Sequence, residues 1–519
     1  MRRRRVVTGV LAAAMMLPLA AQERGQQTAG DSERLADSLA YRVETQATVG
    51  GGDHSALWLN ANRYGLSSVD ANYGYVRGAV ERPLRADDGR RWGVGYGVDM
   101  AVAAGMTSTA VVQQAYVEGR WLKAVLSLGA KERPMELKNQ ELSSGAQTLG
   151  INARPVPQLR FELAEYWSIP YTKGWLGFRG HGSYGMTTDD GWQKEFTDSR
   201  ARYTERTWMH TKAGFLRIGP KNITLEVGLE VACQFGGRSH RVAGSADEAV
   251  YENGSGLKAF WNALLPTTGQ DATDNVYSNA EGNHLGSWLL RLNMDYATWN
   301  LGLYADHFFE DQSSMVHVSH TGYGTGEAWN ELTGRRYYLY DFKDWLLGAE
   351  LKLKDGRWLN TVVLEYLYTK YQGGPLYHDH TPAISEHICG RDNFYNHNLY
   401  TGWQHWGMVM GNPLYRSPLY NDDGTIRVEN NRFTAWHLGL SGSPAERLHY
   451  RLLATWQRGY GTYSQLFQDP KENVSLMGEA SYRLCGGWQV KAAVGMDRGG
   501  IYGDNAGCQL TVTKTGLVK

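Results

Sequence analysis

The densest run of side chains able to do chemistry lies between Tyr371 and Tyr420. There Tyr377, His378, Asp379, His380, Asn393, Tyr395, Asn396, His397, Tyr400, Trp403, Gln404 and Trp406 follow one another closely. Sugars present polar hydroxyl edges and apolar C–H faces, so a site for them combines flat aromatic rings with amide, carboxylate and imidazole hydrogen-bonding groups. Tyr377, His378, Asp379, Tyr395, Asn396, His397, Trp403 and Trp406 are the candidate ligand-binding residues on this ground. A second segment adds His307, Asp311, Tyr323, Trp329 and Asn330. The same residue types also serve as the internal packing of a long loop, and that reading stands beside the first for each of them.

Two further chemistries use the same residue types. His378, Asp379 and His380, with His387 and His397 nearby, are suitable metal-ligand types, and in an extended segment His378 and His380 share a face. No third ligand is defined, so no metal is expected. A hydrolase needs an activated nucleophile beside its base. Ser, His and Asp occur in these segments without a nucleophile-elbow pattern or paired-carboxylate spacing, so neither catalysis nor a cofactor is expected.

The elements that must carry these segments announce themselves by a period of two. From Ile223 to Phe235, Ile223, Leu225, Val227, Leu229, Val231, Cys233 and Phe235 share one face, opposite Asn222, Thr224, Glu226, Gly228, Glu230, Ala232 and Gln234. Such a strand is roughly 40 Å long, and tilted by about 40° it still crosses the hydrocarbon of a bilayer. The signature returns at Val94 to Val102, Trp288 to Tyr296, Trp345 to Leu353, Leu448 to Trp456 and Trp488 to Met496. Tyr and Trp often stand where a stripe ends, as they do at a membrane interface. Several stripes exceed the usual five or six or so residues of a soluble strand. The fold expected is therefore all-β, a transmembrane antiparallel β-barrel of the bacterial outer membrane, with roughly 16 to 18 strands and long extracellular loops.

Composition agrees with a barrel that is wet on its inner side. The chain of 519 residues balances 53 Lys+Arg against 53 Asp+Glu, and its mean hydropathy is −0.46. Zero net charge argues against a nucleic-acid partner. No stretch beyond the leader approaches the roughly 20 apolar residues of a membrane helix, so only a closed sheet can span. Cys233, Cys389, Cys485 and Cys508 have no metal spacing; a bridge between Cys485 and Cys508 is one option, lone thiols the other.

Residues 1–21 read as a signal peptide: Arg2 to Arg5, an apolar run from Val6 to Leu17, and small residues at Ala20 and Ala21 before cleavage. Residues 22–40 are a short periplasmic segment with a short helix at Asp31 to Leu39, and 41–519 are the barrel. Connections alternate in length. Tight turns lie at Ala297–Thr298, Asp355–Gly356 and Cys485–Gly487, and long segments run from Gly236 to Ser287, Asp306 to Asp344 and Tyr371 to Ala435. Short turns on one side and long loops outside is the outer-membrane pattern. "INARPVPQ", with Pro155 and Pro157, breaks a ladder and reads as an inward fold. Its Arg154 is set either to meet an acidic sugar or to pair with Glu226 or Glu230 in the lumen. Leu257 to Leu265 reads as an amphipathic helix over the barrel mouth.

At the long segments the chain resembles the capsule assembly Wzi family of outer-membrane proteins, in its Bacteroidetes form. The resemblance is carried by "ALWLNANRYGLSS" at Ala56 to Ser68, "LSSGAQTLGINARPVPQ" at Leu142 to Gln158, "EGNHLGSW" at Glu281 to Trp288 and "YADHFFEDQSS" at Tyr304 to Ser314. It continues in "EYLYTKYQGGPLYHD" at Glu365 to Asp379 and "DNFYNHNLYTGWQHWGMVMGNPL" at Asp392 to Leu414. It implies a barrel of about eighteen strands in the outer membrane of a Gram-negative bacterium. It also implies an outer-membrane lectin that holds capsular or exopolysaccharide to the cell surface. Partners expected are that polysaccharide and outer-membrane lipids, with the protein a monomer. A diffusion porin and, less well supported, a surface polysaccharide hydrolase are the alternatives. Trp403→Ala is expected to weaken capsule retention and spare folding.

Overall fold

Each period-two stripe becomes a wall strand, because only there can one side of the ribbon meet lipid while the other meets polar groups. The computed structural model describes residues 38–241, 250–265, 282–310, 322–333, 343–375, 381–383 and 390–518. The expected leader, most of the segment preceding the barrel and Cys389 lie outside these residues. In chain order the wall strands are β1 (Ala40–Gly51), β2 (Tyr73–Arg82), β3 (Trp92–Ala104), β4 (Ala110–Trp121), β5 (Ala124–Ala130), β6 (Gln158–Ser168), β7 (Leu176–Met186), β8 (Trp208–Ile218) and β9 (Ile223–Phe235). They continue with β10 (Asn283–Asp295), β11 (Trp299–Glu310), β12 (Trp345–Leu353), β13 (Thr361–Tyr368), β14 (Phe433–Ala445), β15 (Leu448–Gly461), β16 (Leu466–Arg483), β17 (Trp488–Gly499) and β18 (Asn505–Leu517). Neighbours are antiparallel, and the 18-stranded sheet closes because β1 pairs with both β2 and β18; Thr45 faces Val76 on one side and Val512 on the other.

The two faces separate by chemistry. Outside, Leu225 sits opposite Ile218 and Leu292, and Val227 opposite Leu216 and Leu290, all apolar. Aromatic pairs bracket this band. Trp92 and Trp121 lie 6.1 Å apart and Tyr296 and Trp299 4.6 Å apart near the short turns, while Tyr366 and Trp436 are 4.8 Å apart toward the long loops. Inside, the wall carries a ladder of ion pairs: Arg77 with Asp99 at 2.5 Å, Arg160 with Glu162 at 2.6 Å, Arg291 with Glu350 at 2.6 Å and Arg451 with Glu479 at 2.8 Å. Turns at the end opposite the long loops are tight. The Tyr296 N–H donates to the Trp299 carbonyl, and Gly486 and Gly487 take φ of 68° and 78°, which L side chains rarely adopt. The turn after β12 is longer than the Asp355–Gly356 hairpin expected, since the next strand starts only at Thr361.

The core of the molecule is its lumen. Three loops fold into it: 52–72 with the short helix α1 (Leu57–Asn60), 131–157, and the segment from 390 to 432. One apolar cluster joins Trp58, Phe394, Tyr395, Trp403, Tyr415 and Tyr420 of these loops to Leu346, Val363, Leu367 and Leu453 on the inner wall. The lumen is therefore plugged.

One expectation needs correction here, and one open alternative closes. The helix α3 (Leu257–Leu264) does not cover the mouth. Its Ala259 and Ala263 pack on Cys233 and Phe235, which lie on the outward face of β9, and the Tyr184 hydroxyl donates to the Phe260 carbonyl at 2.7 Å. The Lys212 ammonium, also outward, donates to the Leu264 carbonyl at the end of that helix. So Val231, Cys233 and Phe235 of the first stripe are buried beneath protein, and only its lower part is exposed. The possible Cys485–Cys508 bridge is absent. Both thiols are free, Cys485 in a turn and Cys508 well along β18 opposite Val494.

Candidate functional site

The plug is held by polar groups whose partners come from distant parts of the chain. The Glu365 carboxylate, on the inner face of β13, accepts hydrogen bonds from Ser143 Oγ, Ser144 N–H, Ser144 Oγ and Tyr304 Oη. Lys138 pairs with Asp306 at 2.9 Å. The Leu57 N–H donates to Asp497 at 2.9 Å, and Trp58 Nε1 to Thr455 Oγ1 at 3.1 Å. Each bond satisfies a buried group that would otherwise cost about 1–3 kcal/mol.

Within this framework the candidate residues divide. Tyr395 is fully buried. Its ring stacks on Tyr415 at 4.1 Å, its hydroxyl donates to the Gln147 carbonyl and accepts from Asn412 N–H at 3.0 Å. A Cβ at Gly411 would run into that hydroxyl, so a glycine is required there. Trp403 is also fully buried, with Nε1 donating to the Thr148 carbonyl at 2.7 Å. Neither offers a face to a sugar, and both act as pillars of the plug. The expectation that Trp403 contacts ligand is corrected on this ground. Asn396 is buried too. Its amide brackets Val428, donating to the Val428 carbonyl at 2.9 Å and accepting from the Val428 N–H at 2.8 Å.

His397 and Trp406 lie nearer the outside, both partly exposed. Burial, and then the nearby Arg202 guanidinium, pull the His397 imidazole down to about 4. It is thus neutral, and its Nδ1 accepts the N–H of Leu399 at 3.1 Å. Tyr377, His378 and Asp379, together with His380, His387 and Asp311, lie outside the described residues.

Trp406 is the centre of a cluster that joins four extracellular connections. The Asp189 carboxylate, just before helix α2 (Asp190–Phe196), accepts from the Trp406 N–H at 3.0 Å and the Gln404 amide at 3.2 Å. His405 bonds Thr188 through Nε2 and the Arg154 carbonyl through Nδ1. The Arg154 guanidinium lies 4.5 Å from the Trp406 ring and donates to Thr107 Oγ1 at 2.8 Å. It pairs with neither Glu226 nor Glu230; the Glu230 carboxylate takes the Leu149 N–H instead. Burial lowers Arg154 to about 10, with only Asp189 opposing, so it remains a cation. Beneath it a cavity of about 100 Å³ is lined by Tyr64, Glu136, Leu149, His181 and Met410.

Asp189, Trp192 and Phe196 escaped the sequence reading. Trp192 and Phe196 are four residues apart on α2 and stack at 4.9 Å, with Trp192 against Gly407. The signal for them was an acidic residue opening a short helix whose two aromatics fall on one side. Of this cluster Trp406 and Phe196 are partly exposed, while Arg154, Asp189, Gln404 and His405 are buried and bonded beneath them, so the rim offers a ligand aromatic faces held by a polar network.

Comparison with known proteins bears on both fold and identity. No curated protein sequence matches the chain. The described fold is similar to the Escherichia coli outer-membrane protein Wzi, titled as involved in group 1 capsule assembly and as a carbohydrate-binding β-barrel. The similarity has a TM-score of 0.53 at 12% identity, over 92% of this chain and 84% of that one. Pseudomonas aeruginosa OprD (TM-score 0.43, 10% identity, 93% of this chain and 95% of that one) and OccK3 (0.45, 11%, 93% and 97%) are more distant barrels. The closed antiparallel barrel, with no membrane-spanning helix among the described residues, has the fold of a Gram-negative outer-membrane protein. The family model described as capsule assembly protein Wzi matches residues 37–338, more than half of the chain, and the protein belongs to that capsule assembly family.

Proposed function

We propose that the protein is a lectin that binds capsular or related surface polysaccharide at the extracellular rim of its plugged barrel and anchors it to the outer membrane. Binding is noncovalent, needs no cofactor, involves no turnover and is performed by a single chain. One observation carries this reading. Partly exposed Trp406 lies against Arg154, a guanidinium that among the described residues has no carboxylate partner, at the end of the barrel where the long loops converge. An indole face suits the C–H side of a pyranose, and the Arg154 cation packed against that ring, itself buried, fixes it in place. His397 lies on the same plug segment, and Tyr377, His378 and Asp379 belong to the long loop that supplies it. The filled lumen favours retention at the surface over diffusion through the wall. The carbohydrate-binding description of the Escherichia coli barrel adds support at the level of family.

The test is deletion of the gene with separate assay of cell-bound and shed capsule, then complementation with Trp406→Ala. Deletion should move capsule into the medium. The variant should retain several-fold less than wild type while its barrel melts normally. Normal attachment in the deletion strain would remove the proposal. Shortened polymer on incubation with purified protein would mark a hydrolase instead.

A further inference from the structure

On three adjacent strands the outward face changes character at one height. Along β15 it runs Leu452, Ala454, Trp456 and then Arg458 and Tyr460; along β14, Leu438, Trp436, Thr434 and then Arg432; along β13, Leu364, Tyr366, Tyr368 and then Lys370. Register sets these columns side by side, with Thr434 opposite both Tyr368 and Arg458, and the Tyr460 N–H donating to the Arg432 carbonyl. An apolar band is thus capped by an aromatic row and then by a row of cations.

The cations are locked to rings. Lys370 Nζ lies 4.2 Å from the Tyr460 ring, and Arg458 approaches the same ring at 5.9 Å. The Arg432 guanidinium lies 3.8 Å over Tyr463, while its Nε donates to the Lys370 carbonyl at 3.0 Å. Tyr463 Oη in turn donates to the Tyr371 carbonyl at 2.7 Å, and Lys343 lies 3.9 Å from the Tyr371 ring. Among the described residues neither Lys370 nor Arg432 forms an ion pair, and Arg458 has only a loose one with Glu472 at 3.7 Å. On the inner wall Arg77, Arg160, Arg291 and Arg451 each meet a close carboxylate, whereas this strip sets three cations, the buried Arg432 among them, against Glu472, which stands opposite Arg458.

We propose that this strip binds the phosphate groups of a phosphorylated glycolipid in the outer leaflet. The occupant follows from position and charge. The columns are continuous with the lipid-facing band, so acyl chains lie along Leu364, Leu438 and Leu452 when a headgroup reaches the cations. Phosphate oxygens suit guanidinium and ammonium donors, and the flanking tyrosine faces suit the sugars that carry the phosphates. A soluble anionic polymer would gain nothing from the apolar columns below.

Purified full-length protein in neutral detergent, challenged with diphosphorylated lipid A, tests the site. Wild type should retain it and lose it as salt rises. The double variant K370Q/R458Q should bind at least about fivefold more weakly, since each cation near a charged lipid surface contributes on the order of 1 kcal/mol. The charge-keeping K370R/R458K should bind like wild type, and heat-modifiable gel mobility should be the same in all three. Equal binding of dephosphorylated lipid A, equal binding by the double variant, or displacement by equimolar inorganic phosphate would overturn the proposal. So would a loss confined to an anionic polysaccharide offered as the competing probe. Capsule retention by cells is read separately, so failure here leaves the lectin reading standing and the reverse.

Discussion

Trp403 and Trp406 are three residues apart, of one type, and do different work. Trp403 fills the lumen and donates its indole N–H to Thr148; Trp406 meets the outside and carries Arg154 on its ring. Replacing Trp403 with alanine should cost about 3–5 kcal/mol through the cavity it leaves. It should also orphan the Thr148 carbonyl. Hydrogen exchange across residues 391–432 should accelerate strongly in that variant, and unchanged protection would return Trp403 to the surface. Residue types on this segment were legible, since aromatic and amide side chains crowd it visibly. Which of them face a ligand was not. A segment without regular period, enclosed on all sides by the wall, has no face that spacing can reveal.

At the scale of elements, the strands were readable because alternation is local: it follows from the pleat and needs no partner. Val227 lies on the lower part of its stripe, half-buried between Leu216 and Leu290 on the lipid side. Val227→Arg should therefore cost roughly 2–4 kcal/mol near mid-membrane, lowering the temperature at which the folded gel band converts to the unfolded one. An unchanged conversion temperature would contradict the face assignment. The helix α3 was equally legible as a helix, but its seat was not, because an apolar side fits a mouth as well as a wall. The clue lay on β8. His210 and Lys212 interrupt an otherwise apolar outward run from Trp208 to Ile218, and a polar group at that height needs a cover, which α3 supplies to Lys212 through its terminal carbonyl. Leu257 and Trp261 of that helix remain exposed, continuing the apolar exterior.

For the molecule as a whole, the division into short turns and long loops could be read along the chain, whereas strand number followed only from chain length as roughly 16 to 18, and the barrel closes at eighteen. The plug could not be read this way, because its bonds join residues hundreds of positions apart. Glu365 anchors it with four bonds, and Glu365→Ala should strip three side-chain hydroxyls and one N–H of their acceptor. Wild-type protein in a planar bilayer should carry little current, and the variant should show intermittent openings as the plug loosens. A silent variant would mean that the remaining contacts seal the lumen by themselves.

The reach of those contacts dictates an order of assembly. Leu57 is bonded to Asp497, 440 positions away, and Gln509 of the last strand donates to the Leu59 carbonyl. Residues made early thus have no complete seat until the final strands arrive. Once β18 zips against β1, the only ways in are the two ends. The interior must be furnished while the seam is still open, so closure and filling form one late, slow event, and a chain halted before its last hairpin is left with an unseated hydrophobic plug rather than a smaller working barrel.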